Sequence, residues 1–338
     1  MPTNRVVLSL LERYNLRKLA QLTFAVIFCL IHFGCSSEAP PIRIGVNPWP
    51  GYEYLHLAQK KGYYEKLGVK VELVEFSSLA DNRRAYERGQ VDAFAGTMVE
   101  LVLVHHQSHH KPKAFMLCDY SNGADMLLAR KEITNLQELK GHKVGLEPAS
   151  LDVIVVANAL VEAGLRFEDI IVVPTFQNEM PQALEDGSVD AVQTYPPNSV
   201  QIMERDDVHK LFDTSMVPGQ VIDLVAASPE ILASRPHDFD KIVAAFYKAR
   251  QFHESNPEEA VDIMAARERI SPEAFNEALA GMVMIPLDQQ PEFFQENGKF
   301  SKAFKVALEG LKQTGLIDQD INVHDCYDPG PVSRTVAR

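Results

Sequence analysis

Cysteine is scarce in this chain of 338 residues, with 4 in all, and only Cys118 and Cys326 lie beyond the first 35 positions. A fold stapled by several bridges is therefore excluded, while one disulfide or two isolated thiols both remain open. Tryptophan occurs once, as Trp49. Basic residues are outnumbered, 33 Lys and Arg against 46 Asp and Glu, for a net charge of −13. Without a basic patch, such a chain should avoid nucleic acid and anionic surfaces. No GxSxG, no Walker loop and no GxGxxG following a strand is present, so the enzyme classes built on them are excluded. No catalytic residue and no cofactor is expected. What is present is ordinary globular material, 46% hydrophobic and 23% charged, long enough for two domains with proper cores.

Long uncharged apolar runs are missing too, apart from Leu19 to Gly34, which comes after Arg5, Arg13, Arg17 and Lys18. That is the layout of a secretory signal, and it is short for a membrane span. It closes on Gly34-Cys35-Ser36-Ser37, which resembles a bacterial lipoprotein signal, with His32 at the position where that pattern has an aliphatic residue. The expectation is a lipoprotein-type signal peptide over 1–34, acylation at Cys35, and a protein lipid-anchored to the membrane in the periplasm or cell envelope. A plain signal peptide cut nearby and an uncleaved anchor are the alternatives, and each exports the rest of the chain. One acyl chain holds a protein only marginally, so stable anchoring needs several.

The remainder repeats itself. Ile44-Gly45-Val46-Asn47-Pro48 returns as Val144-Gly145-Leu146-Glu147-Pro148, and Gly89-Gln90-Val91-Asp92-Ala93 returns as Gly187-Ser188-Val189-Asp190-Ala191. Each copy reads as a β-branched strand, a turn with Pro, a helix-period segment ending near Gly62 or Gly164, a second strand (Val69 to Phe76; Ile170 to Phe176), a short helix (Asn82 to Arg88; Met180 to Glu185), and a third strand (Asp92 to Ala95; Asp190 to Gln193). This alternation is that of a mainly parallel sheet wound by helices, in which ligands collect at the carboxyl ends of the strands. Two such edges facing each other make a cleft. The boundaries expected are 35–135 plus 220–325 for lobe 1, 136–219 for lobe 2, and a loosely ordered tail at 326–338, with the lobe crossings near 130–142 and 216–222. Ser228-Pro229-Glu230 and Ser271-Pro272-Glu273 start helices that complete lobe 1.

Gly45-Val46-Asn47-Pro48-Trp49-Pro50-Gly51-Tyr52, Leu57-Ala58, Gly62-Tyr63-Tyr64-Glu65, Gly68-Val69, the turn at 89–93, Leu136 to Gly141, Ala163-Gly164-Leu165 and Met180 to Ala191 come one after another in a recognisable order. The series resembles the SsuA/THI5-like (NMT1) family of ABC-transporter solute-binding proteins, which takes in nitrate, sulfonate, taurine and thiamine-pyrimidine binders. The resemblance implies a two-lobed periplasmic binding protein of type II, α/β in class, monomeric, which captures a small molecule between its lobes and hands it to an ABC permease. It also implies where the ligand sits. Trp49, Pro50, Gly51 and Tyr52 match the loop that walls the cleft from lobe 1, and Gly96 and Thr97 follow the third strand there. Pro148, Ala149 and Ser150 match the turn that in relatives holds an oxyanion, and Thr194 with Tyr195 matches a place where relatives carry Trp and Pro. Asp125 and Asp223 lie at the lobe crossings as cleft or hinge acids.

One departure bears on ligand charge. A sulfonate or nitrate site needs N–H and hydroxyl donors, usually with Arg or Lys in reach, whereas these loops carry Glu53, Asp125, Glu147, Asp152 and Asp223 and no basic residue. The expectation is a neutral or amine-bearing heterocycle in preference to a sulfonate or nitrate. Two other readings stand beside it. His105, His106, His109 and His110 would pair at helical spacing as zinc or copper ligands if their helix runs that far, and a ligand sensor feeding a separate receptor would use the same cleft. Some relatives of this fold make the thiamine pyrimidine inside the cell, with a cofactor-attaching Lys and iron ligands. The export signal and the lack of a Cys/His cluster in the cleft speak against that here.

Overall fold

The structure, a computed structural model, describes residues 39–337. Two sheets carry it. The first holds β1 (Ile42–Val46), β2 (Val71–Glu75), β3 (Ala93–Thr97), β4 (Lys113–Ser121), β10 (Ile222–Ala227) and β11 (Met282–Met284), in the order β11-β4-β10-β3-β1-β2. The second holds β5 (Met126–Arg130), β6 (Lys143–Leu146), β7 (Ile171–Pro174), β8 (Ala191–Thr194) and β9 (Val208–Asp213), in the order β7-β6-β8-β5-β9.

The sequence repeat is a structural repeat. β1 lies parallel to both β2 and β3, and β6 lies parallel to both β7 and β8. Even the register recurs: Ile44 opposes Ala93 and Gly45 opposes Phe94, while Val144 opposes Ala191 and Gly145 opposes Val192. Each third strand then receives an antiparallel neighbour from outside its own copy, β10 beside β3 and β5 beside β8. Helices cover both faces of the parallel part, so β3 and β8 are buried along their whole length.

The chain passes between the sheets at 122–125 and again at 214–221. The first passage lies earlier than the 130–142 expected from the sequence. Met126 to Ala129 pairs with β8 and β9 and so belongs to the second lobe. An apolar strand does not declare its pairing partner, which is why the boundary moves. The helix expected at Asn82 starts at Leu79, because the Ser78 side chain accepts the Asp81 N–H and caps it three residues sooner. The tail also differs from its expectation. Gly330–Val336 is a helix packed on Pro236–Ser255, with Pro331 and Val332 buried and Arg334 donating to Asp240. Pro329, Gly330 and Pro331 mark its start rather than a lack of order.

The lobes meet along a helix seam behind the cleft. Lys299–Gln313 touches both Met98–Gln107 of its own lobe and Asp152–Glu162 of the other. Gly310 lies on that seam: a Cβ there would stand 2.6 Å from Ile154 Cδ1. Cys118 and Cys326 are both buried free thiols, the former in β4. Among the described residues no helix is long and apolar enough to cross a membrane. Cys35 and the leader lie outside the described residues.

Candidate ligand cleft

Four parallel strands deliver their carboxyl ends to one place. From the first lobe come the loop after β1, with Asn47, Trp49 and Tyr52, and Thr97 at the end of β3. From the second come Leu151 after β6 and Tyr195 after β8. Leu79, Asp125 from the first passage and Asp223 at the start of β10 complete the wall. The lobes are closed on it, leaving a cavity of about 10 Å³, the size of one water.

Local sequence explains each placement. The loop after β1 turns tightly, with the Tyr52 N–H bonded to the Trp49 carbonyl, and Gly51 lets it lie flat on β4. A Cβ at Gly51 would stand 1.9 Å from Asp119 Oδ2 and 2.9 Å from Trp49 Nε1. Trp49 Nε1 donates to Asp119 Oδ1 at 3.3 Å, and the Tyr52 hydroxyl donates to Asp223 Oδ1 at 2.5 Å. Asp119 and Asp223 face each other because β4 and β10 pair in that register. Trp49 and Tyr195 meet edge to face across the lobes, with ring centroids 6.0 Å apart and planes at 81°. Thr97 caps the helix Met98–Gln107 in a reciprocal box with Glu100.

The cleft is acidic to an unusual degree, and its carboxylates divide into two kinds. Some are saturated. Glu100 accepts from Thr97 N–H and hydroxyl and, across the cleft, from the Leu151 N–H at 3.1 Å. Asp152 accepts from the Glu147 N–H at 2.7 Å and Gln177 Nε2 at 2.9 Å, and the Gln193 amide, with its nitrogen turned inward, adds a contact of 2.7 Å. The others lack donors. Both oxygens of Asp125, both of Glu147, and Oδ2 of Asp119 and of Asp223 are buried without a hydrogen-bond partner. Glu147 approaches Ser78 and Ala80 at the start of the helix Leu79–Glu87 and makes a hydrogen bond to neither.

Burial, disfavouring the charged form, lifts every one of these carboxyls above its ordinary range, Asp125 and Glu147 to about 7. Like charges add to this: Asp119 raises Asp223, and Glu147 raises Asp152. Cations are near but committed. Arg250 donates to the Ile285 carbonyl, Arg83 to Glu87 and Gln107, and Arg84 to Asp81. No Lys or Arg lines the cavity.

Of the residues expected at the site, Trp49, Tyr52, Thr97, Asp125, Tyr195 and Asp223 line the cavity. Pro50, Gly51, Gly96, Pro148, Ala149, Ser150 and Thr194 do not line it. Ala149 takes a positive φ of 53°, and Ser150 Oγ bonds back to the Glu147 carbonyl and to Asp152. Thr194 donates to Gln177. Glu53, expected among the cleft acids, is buried elsewhere in an ion pair with Arg267. Sequence reasoning missed Asn47, Leu79, Leu151, Glu100 and Asp119 as site groups. Glu100 was findable as the last residue of Thr97-x-x-Glu100, a capping-box spacing, and Asp119 as an acid inside an apolar strand. The histidines form no ligand set: the helix ends at Gln107, before His109 and His110, and His105 is buried with Nε2 on the Pro112 carbonyl at 2.7 Å. Among the described residues no group of His, Cys, Asp or Glu has metal-binding geometry.

Comparison with known proteins agrees with this architecture. The family model described as NMT1/THI5 like matches residues 49–260. A putative aliphatic sulfonates-binding protein of Escherichia coli is 24% identical over 270 residues, covering 74% of this chain and 79% of that one. A putative binding protein of Brucella abortus is 24% identical over 238 residues, covering 67% and 70%. Among solved structures, the periplasmic aliphatic sulphonate binding protein SsuA of Escherichia coli superposes with a TM-score of 0.70 at 17% identity, over 86% of this chain and 92% of that one. The ligand-binding component of an ABC-type import system from Staphylococcus aureus, solved with zinc bound, gives 0.73 at 16%, over 88% and 99%. A desulfurization enzyme shares the fold as well, at 0.62 and 14%, over 87% and 99%.

Proposed function

We infer that this chain, which belongs to the NMT1/THI5-like family, is the solute-binding component of an ABC importer: it captures a small organic molecule between two lobes, closes on it, and delivers it to a membrane permease. The observation that carries this reading is the cavity itself, enclosed by both lobes at the carboxyl ends of their parallel strands and walled by Trp49, Tyr195 and the unpartnered Asp125. Such a site holds a ligand by enclosure, and each lobe supplies part of the contacts, so binding shifts the population from open to closed. Both lobes share in the wall, and capture by enclosure is the reading it supports. The cleft is not built for an oxyanion, since no Lys or Arg lines it. The ligand proposed is neutral or amine-bearing.

Export through the 1–34 leader and acylation at Cys35 would place the protein at the periplasmic face of a membrane, beside the permease. Scattering and calorimetry with a panel of sulfonates, nitrate, pyrimidines and amines test the transport reading. Compaction together with heat from one class supports it, and neither signal from any class counts against it. Labelling with a fatty-acid analogue, with Cys35→Ala as the comparison, tests the anchor.

A further inference from the structure

The polar atoms left unsatisfied around the cavity are acceptors almost without exception. Asn47 Oδ1 and both oxygens of Asp125 are buried, line the cavity and meet no donor, and Asp223 Oδ2 has beside it only the carboxyl of Asp119, itself an acid. Asp125 and Asp223 are 0% and 2% exposed. The side-chain donors of the same wall are already engaged: Tyr52 on Asp223, Trp49 on Asp119, Thr97 on Glu100. Only the Tyr195 hydroxyl remains without a partner, and it can donate or accept. A buried acceptor without a donor costs free energy, and a buried carboxylate without a counter-charge costs more. The fold retains several in one place, beside two aromatic rings.

Resting on the solute-binding reading above, we propose that the ligand is an organic cation bearing N–H donors, an amidinium or a primary ammonium, whose nitrogens seat on Asp125 and Asp223 beside Trp49 and Tyr195 when the lobes part to admit it. A primary ammonium brings three donors and a planar amidinium a fork that matches a carboxylate two-on-two. A quaternary ammonium satisfies the aromatic faces but leaves the oxygens unpaired, so it is a poor ligand. An anion finds no Lys or Arg on the wall to take its charge, and each cleft carboxyl that ionises repels it. The aromatic pair supplies the apolar walls and a weak attraction for the charge. Glu147 and Asp152 on the second lobe, and Asp119 beneath Gly51, add to the field without lining the cavity.

The test uses the purified protein and two trios of graded charge: acetamidine, acetamide and acetate; benzamidine, benzamide and benzenesulfonate. Melting temperature and Trp49 emission are read for each, together with mass analysis of any solute released on denaturation. The inference expects the amidines to stabilise at concentrations at least about tenfold below their uncharged partners, a step of about 1.4 kcal/mol, and the anions to have no effect. Asp125→Asn and Asp223→Asn should each abolish the preference for the cation while melting, without ligand, at or above the parent temperature. That combination separates a ligand contact from a structural one. Amides or sulfonates binding as well as amidines, or cation binding unchanged in both variants, overturns the cation and leaves the solute-binding reading standing. A released solute that is cationic at neutral pH upholds the inference, and a neutral or anionic one overturns it alone. Silence from every probe with no released solute overturns both.

Discussion

Glu100 joins the two lobes: its Oε2 accepts from Thr97 N–H and hydroxyl within lobe 1, and its Oε1 accepts the Leu151 N–H of lobe 2 at 3.1 Å. A helix-capping residue thus doubles as a latch on the closed form. Glu100→Gln keeps the length of the side chain but leaves a single acceptor oxygen for donors on both lobes. The expected result is loss of roughly 1 kcal/mol of preference for the closed state, seen as a larger radius of gyration in small-angle scattering of the unliganded protein. A scattering curve identical to the parent's would show that closure does not depend on this contact.

Gly51 lies where β4 and the Trp49 loop are closest. Gly51→Ala places a Cβ 1.9 Å from Asp119 Oδ2, and either the loop lifts or the carboxylate turns away from Trp49 Nε1. Overpacking of this kind costs about 1–3 kcal/mol, so thermal melting should fall by several degrees and ligand affinity should drop with it. Unchanged melting would mean that the loop adjusts freely and that Gly51 does not position Trp49.

Trp49 is the only tryptophan, buried to 4% exposure against Tyr195 of the opposite lobe. Its emission therefore reports lobe closure directly. Ligand should shift the emission to shorter wavelength and Glu100→Gln should shift it to longer wavelength, as water enters the cleft. A spectrum insensitive to both would place the ring outside the moving interface.

The raised carboxyls of the cleft give stability an unusual pH dependence. In the folded protein Asp125 and Glu147 hold their protons to about pH 7, whereas in the unfolded chain such groups release them near pH 4. The folded state binds more protons between these limits, so stability falls as pH rises, each group contributing a slope of about 1.4 kcal/mol per pH unit. His56 and His105, lowered by burial with His56 at about 3, act in the opposite direction, but only below about pH 6.5. Above about pH 7 the slope from Asp125 and Glu147 fades, so the window in which they act without the histidines is narrow, about pH 6.5 to 7.5, and across it the unliganded melting temperature should drop. Asp125→Asn should flatten that drop, and a melting temperature rising through the window would contradict the burial of these acids.

Cys118 and Cys326 are buried as free thiols, and burial pushes both upward in pKa, Cys326 to about 12. Alkylation mapped by peptide mass should leave both unmodified in the folded protein and modify both in denaturant, without added reductant. Modification that requires reductant would reveal a disulfide instead.

Much of the architecture was legible because it is periodic. A segment such as Ile44 to Pro48 that returns at Val144 to Pro148 can only build the same unit twice, and the strand, turn and helix signals inside each copy are local. The cavity-lining loop from Asn47 to Tyr52 was legible for the same reason, since it comes directly after the end of β1. Asp119 and Glu100 were not, because one reads as a polar interruption of a strand and the other as a helix cap. Their meaning depends on neighbours 104 and 51 positions away, Asp223 by strand register and Leu151 by lobe closure.

Two copies of a wound β/α unit, the order of their strands along the chain and the acidic character of their loops are written in the amino acids alone, because propensity, turn chemistry and charge are properties of short segments. Which acids are spent and which are free emerged only on folding. Glu53 found Arg267, and Asp152 found Gln177 and Gln193, while Asp125 found no donor. A hydrogen bond requires two groups within about 3 Å, and no spacing along the chain fixes that distance between residues brought together by folding.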